Sequence, residues 1–274
     1  TVDELSAAAK WAFDALGRAI LAADGAVADV LSRVEDLTAT GPRPRPGDAV
    51  VLGVDGCRAG WVGVVLDGGS ASALVGATIG DLVTAARLAH PYLGTVGIDI
   101  PIGLPDDAPR SPDLLARQRL PAARKSPVFP APTRAACAAT SHEEASAANR
   151  AATGRVGLSV QAFGLVPKIL EVDAYVRSPR TCRIVEVHPE VSFAAIDPDS
   201  VIPAKRSTAG HASRVAALRT AGIEPPPYVR GQGYGADDLL DACAAAWTAA
   251  RVATGAADSL PDPPETFSDG LPAA

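Results

Sequence analysis

A chain of 274 residues with 47% hydrophobic and 20% charged residues holds enough apolar sequence for a packed core, which excludes disordered and fibrous classes. Its net charge of -6 and 4% aromatic content argue against a general nucleic-acid coat, which needs a basic surface and stacking platforms, but allow a local basic groove beside an acidic site. No apolar run reaches the ~18 residues of a membrane span and no signal-peptide pattern opens the chain, so the expected location is cytoplasmic, without membrane contact.

The four cysteines, Cys57, Cys137, Cys182 and Cys243, contain no CxxC pair and read as reduced thiols. Residues 1–39 read as a helical pair, with Leu5, Ala9, Ala12, Leu16 and Ile20 near helical spacing and Val27, Val30, Leu31 and Val34 after a break at Gly25. Residues 40–48, TGPRPRPGD, form a Pro/Gly linker, so the pair is an appendage whose apolar stripe packs on the main domain or mediates self-association. The main domain spans residues 49–274. It opens with strand-like runs at 50–55, 61–66 and 72–78, joined by glycine-rich turns into an antiparallel meander. A helix at 81–89 and a β-branched run at 95–100 complete a βββαβ order. The proline-rich stretch 101–132 reads as a loop too long for an ordinary connection, functional or disordered, with Arg110, Arg117, Arg119, Arg124, Lys125 and nearby Arg134 against few acids. Helices follow at 142–152 and 164–176, a strand at 183–187, and helices at 211–221 and 237–254.

Four acidic stations stand out. Asp55 ends the first strand inside GVDGCRAGW, where it serves as a metal ligand or caps the turn. Asp99 lies in the apolar run VGIDIPIGLP, where an ionised carboxylate is costly unless a cation or hydrogen bonds compensate. Glu186 repeats that situation in IVEVHPE, followed by Glu190; His188 reads better as a residue setting the turn than as a ligand, since oxygen-ligated Mg²⁺ sites rarely need imidazole. The last helix opens with Asp237, Asp238 and Asp241, of which Asp238 and Asp241 share a face and at least one caps the helix. Carboxylates from separate strands and a helix match two-metal hydrolysis, in which two Mg²⁺ or Mn²⁺ ions about 4 Å apart orient a water and stabilise the leaving oxygen of a phosphodiester. No GxSxG elbow, P-loop, GxGxxG fingerprint or HExxH helix offers a rival chemistry.

The segments GVDGCRAGWV, IDIPIGLP, RKSPVFPAPTR, GLSVQAFGLVPKILEVD, EVHPEVSF and DDLLDACAAAWTA, in this order, closely resemble the predicted RNase H-like nuclease family, a domain-of-unknown-function family, over residues 51–255. The resemblance implies an α/β, ribonuclease H-like fold, with a mixed five-stranded sheet that begins with a meander and is flanked by helices. It implies nuclease activity, with Asp55 as the first-strand acid, Asp99 as the fourth-strand acid, Asp238 or Asp241 as the acid of the final helix, and Glu186 as a further candidate. The segment 124–134, with Gln161 and Lys168, resembles the family's own signature, which points to Arg124, Lys125, Arg134, Gln161 and Lys168 as groups that bind the phosphates of a nucleic acid or nucleotide. Against this stand two other readings. One is an actin-like nucleotide-binding protein using residues 56–60 on phosphate; the other is a non-catalytic binding module that keeps the fold and its acids.

Overall fold

The computed structural model describes residues 49–121, 128, 130–154, 157–198 and 207–274. The expected helical pair, the linker to residue 48, and Arg124 and Lys125 lie outside the described residues. In chain order the elements are β1 (Val51–Cys57), β2 (Gly60–Asp67), β3 (Ser70–Gly76), α1 (Ile79–Ala89), β4 (Thr95–Ile98), α2 (Ser111–Arg119), α3 (Arg134–Cys137), α4 (His142–Thr153), α5 (Val160–Arg177), β5 (Arg183–Glu186), α6 (Pro189–Ile196), α7 (Thr208–Thr220), α8 (Ala236–Ala253), and the short pair β6 (Glu265–Thr266) and β7 (Pro272–Ala273).

Five strands form one mixed sheet in the order β3-β2-β1-β4-β5. The meander pairs antiparallel, whereas β1, β4 and β5 run parallel. This is the ribonuclease H-like arrangement that the resemblance implies. Parallel strands need both faces covered, and β1 and β4 are correspondingly apolar with little alternation. On one face Leu52, Val54, Val96 and Ile98 pack against Ile79, Leu82, Ile169 and Val172 of α1 and α5. On the other, Val62 and Val64 meet Phe193, Leu218, Leu239 and Cys243 of α6, α7 and α8. The result is a helix, sheet, helix sandwich around two apolar layers. The four cysteines are buried and free.

The stretch 101–132, expected as a loop, contains α2, whose Pro112 stands in the first turn, where a missing N–H costs nothing. The same device starts α6 at Pro189, just past the strand expected at 183–187. Helix α5 begins at Val160, four residues before the expected start, because the Ser159 side chain accepts the Ala162 N–H at 3.1 Å as an N-cap. The β6–β7 hairpin straps the segment that follows β4. Asp269 accepts the Leu104 N–H at 3.1 Å, and Glu265 accepts the Ser111 N–H at 2.7 Å.

Candidate functional site

Helix α8 lies directly on β1 and β4 because both strands carry glycine at the crossing. A Cβ on Gly53 would stand 2.0 Å from the Ala246 nitrogen and 2.1 Å from the Ala242 carbonyl oxygen, and one on Gly97 would stand 2.8 Å from the Ala245 carbonyl oxygen. Two residues further along each strand, on the same face of the pleat, come Asp55 and Asp99. Val54 pairs with Ile98, and the Asp99 N–H donates to the Val54 carbonyl at 2.9 Å, so the two acids stand side by side at the carboxyl ends of adjacent parallel strands. Asp241, one turn before Ala245 on α8, is buried and lines the same cleft as both. That cleft encloses about 420 Å³, within the span of roughly 300–1,000 Å³ typical of small-molecule sites. Asp55 also accepts the Gly56 N–H at 2.7 Å, which orients its carboxylate near the end of β1.

Glu186 lines the same cleft but is already paired there. It pairs with Ile98, one residue short of Asp99, so the two-residue period of the pleat sets it on the face of Ile98 and the α1–α5 layer. There Arg110 takes both of its oxygens, donating from Nη2 to Oε1 at 2.7 Å and from Nη1 to Oε2 at 2.8 Å, while the Ile102 N–H donates to Oε2 at 2.8 Å. Arg110 has no exposed surface. It donates further to the Ile102 and Gly103 carbonyls and to Asp113, whose Oδ2 accepts the Ala131 N–H. Burial pushes the Glu186 carboxyl above its ordinary range, with Arg110 pulling against that shift. A second buried pair, Glu190 with Arg214, joins α6 to α7 beside the cleft, and Ser192 shares a hydrogen bond of 2.8 Å with Thr248 of α8.

Asp238 sits at the helix end: its Oδ2 accepts the Gly235 N–H at 2.8 Å and caps α8, and among Asp237, Asp238 and Asp241 the cleft is lined by Asp241. The Lys168 ammonium lies 4.2 Å from the centre of the Trp61 ring and donates to the Gly60 carbonyl. Its stem runs beside Gly56, where a Cβ would stand 3.0 Å from Lys168 Cδ, so this cation braces the turn next to Asp55. Arg134 pairs with Asp269 and lies 3.6 Å from Asp173, joined by Arg177 in a network that holds the C-terminal hairpin. Gln161 is exposed in the first turn of α5. Sequence reasoning passed over Arg110 as one of several basic residues in a proline-rich stretch, since no spacing marks which of them is buried. It also did not single out Arg214 or Arg251; the guanidinium of Arg251 lies 4.9 Å from the Trp247 ring at the cleft.

Among the described residues, no three His, Cys, Asp or Glu side chains stand close enough to hold a metal ion by themselves, and no helix is long and apolar enough to cross a membrane. The chain belongs to the family described as protein of unknown function (DUF429), whose model matches residues 53–266. No curated protein and no solved structure matches it.

Proposed function

We propose that this DUF429 chain is a divalent-metal-dependent phosphodiesterase of the ribonuclease H-like nuclease type, with Asp55, Asp99 and Asp241 as the carboxylates of its site. The observation that carries this reading is the convergence of three acids from β1, the end of β4 and α8 on one cleft, each fixed by sheet register or helix turn. A donor set made only of carboxylate oxygen suits Mg²⁺ or Mn²⁺ rather than a softer ion. Mg²⁺ keeps several waters and is commonly held by one or two carboxylates together with substrate phosphate, so these acids need not close a cage by themselves. When bound, such ions activate water and stabilise the leaving oxygen of a phosphodiester.

The chain's own groups hold this arrangement in place. The Gly56 N–H orients Asp55, Lys168 braces the β1–β2 turn, and the glycine contacts with α8 fix the depth of Asp241. Glu186 enters as the anchor of Arg110, which ties the segment after β4 to the end of β5, and Asp238 enters as the cap of α8. The test is calorimetric titration of Mn²⁺ into the wild type and the Asp55→Asn/Asp99→Asn variant, paired with hydrolysis of bis(p-nitrophenyl) phosphate. Binding and hydrolysis lost together, in a variant that melts no lower than wild type because carboxylate repulsion is relieved, is the expected result. Unchanged Mn²⁺ affinity in the variant would sink the assignment, and an unfolded variant would make the acids structural.

A further inference from the structure

We infer that the cleft takes the end of a short single-stranded oligonucleotide and anchors a terminal phosphate on Arg119 and Arg251; this rests on the phosphodiesterase reading of the same site. Both arginines line the cleft, Arg119 from the last position of α2 and Arg251 from the last turn of α8. The segment after α8 brackets them: Arg251 donates to the Ala256 carbonyl, and Arg119 lies 3.8 Å from Asp258. The Arg119 side chain is 56% exposed, so its guanidinium is open to a ligand at the mouth.

Helix α8 sets the distance between the cationic and acidic ends. Side chains on a helix lean toward its N-terminus, and the Arg251 guanidinium accordingly lies back over Trp247. From Asp241 to Trp247 the helix rises roughly 9 Å at about 1.5 Å per residue. That span corresponds to roughly two or three stacked nucleotide steps at about 3.4 Å each. The lining also carries Ile100, Leu165, Val191 and Leu260, an apolar surface for sugar edges and base faces, beside the arginine-paired acids Glu186 and Glu190. A cleft of about 420 Å³ encloses roughly the terminal nucleotide of one strand and leaves the rest at its mouth, whereas a duplex demands a broad basic surface that a chain of net charge -6 does not favour. The Trp247 face is covered by Arg251, so recognition runs through phosphate contact and is tolerant of base identity.

The experiment compares trinucleotides with phosphorothioate linkages, which resist hydrolysis, carrying or lacking a phosphate at the 5′ or the 3′ end. Each is titrated calorimetrically in Mn²⁺ into wild type and into Arg119→Gln/Arg251→Gln. The proposal expects a terminal phosphate at one end to tighten binding to wild type by about tenfold or more, as a charge-assisted contact does. In the double variant the gain should shrink to about twofold or less, with the Mn²⁺ isotherm unchanged. An equal gain in both proteins, or a 20-base-pair duplex that outcompetes the trinucleotide, overturns this inference while leaving the phosphodiesterase reading intact. If wild type binds neither Mn²⁺ nor any oligonucleotide, both fall together.

Discussion

Replacing Arg110 by methionine isolates the most heavily bonded side chain at the cleft. The guanidinium has no exposed surface and its partner Glu186 keeps 16% side-chain exposure, so solvent screens this pair little. Removing one partner of a buried pair leaves the other charge uncompensated, at a cost of about 3–5 kcal/mol. For a domain of this size that lowers Tm by about 6–20 °C. The loss must also depend on pH. Glu186 titrates above its ordinary value of 4.5 in the folded protein because it is buried, so its ionisation destabilises the fold as pH rises through the folded value, and this cost is absent below the unfolded value. Without Arg110 the group that holds this pKa down is gone, and the window extends to higher pH. Thermal melts followed by circular dichroism should therefore show a gap between variant and wild type that is widest near pH 8 and narrows toward pH 5. Adding Glu186→Gln to Arg110→Met should recover part of the loss at pH 8. A gap that does not change with pH, or a Tm within a degree of wild type, would refute the view that an uncompensated Glu186 carboxylate is the cause.

Gly53→Ala should cost about 3 kcal/mol in urea denaturation, because the added methyl meets the backbone of α8, which cannot yield without lifting from the sheet. Gly164→Ala in α5, where the new methyl meets nothing within 4 Å, should instead stabilise by about 0.5–1 kcal/mol through helix propensity alone. Asp238→Ala should lose about 1 kcal/mol of helix capping and keep its Mn²⁺ isotherm, whereas Asp241→Asn should lose Mn²⁺ binding without loss of stability. Calorimetry beside chemical denaturation separates the two acids in a single experiment.

The strand order was legible because each run of the meander is apolar, short and bounded by glycine turns, and because the β-branched run ending at Ile98 follows a helix with clear periodicity. Helices α2 and α6 were not, since proline, the usual mark of a loop, stands at the one helical position that tolerates it. That Asp55 and Asp99 close apolar runs was legible in the sequence, and the structure places both in the cleft lining. The choice within Asp237, Asp238 and Asp241 was not, because helical spacing puts Asp238 and Asp241 on one face and only the contact of α8 with Gly53 and Gly97 tells which of them reaches the cleft.

Glu186 lines the cleft as well, and local sequence did not show that it arrives there already paired with Arg110. Its setting, an acid at the end of an apolar strand, matches that of Asp99, yet β5 enters the sheet in a register that pairs Glu186 with Ile98. A single residue of offset moves a side chain across the sheet, and register between β4 and β5 is set by long-range packing that no window of sequence contains. On its own face the carboxylate meets Arg110, and the pair ties β5 to the segment that leads into α2. The same offset leaves Asp55 and Asp99 together on the α8 face, where Asp241 joins them. Among the acids that line the cleft, Glu186 and Glu190 are matched within the protein by Arg110 and Arg214, and Asp55, Asp99 and Asp241 are the ones that the proposed site assigns to a divalent cation.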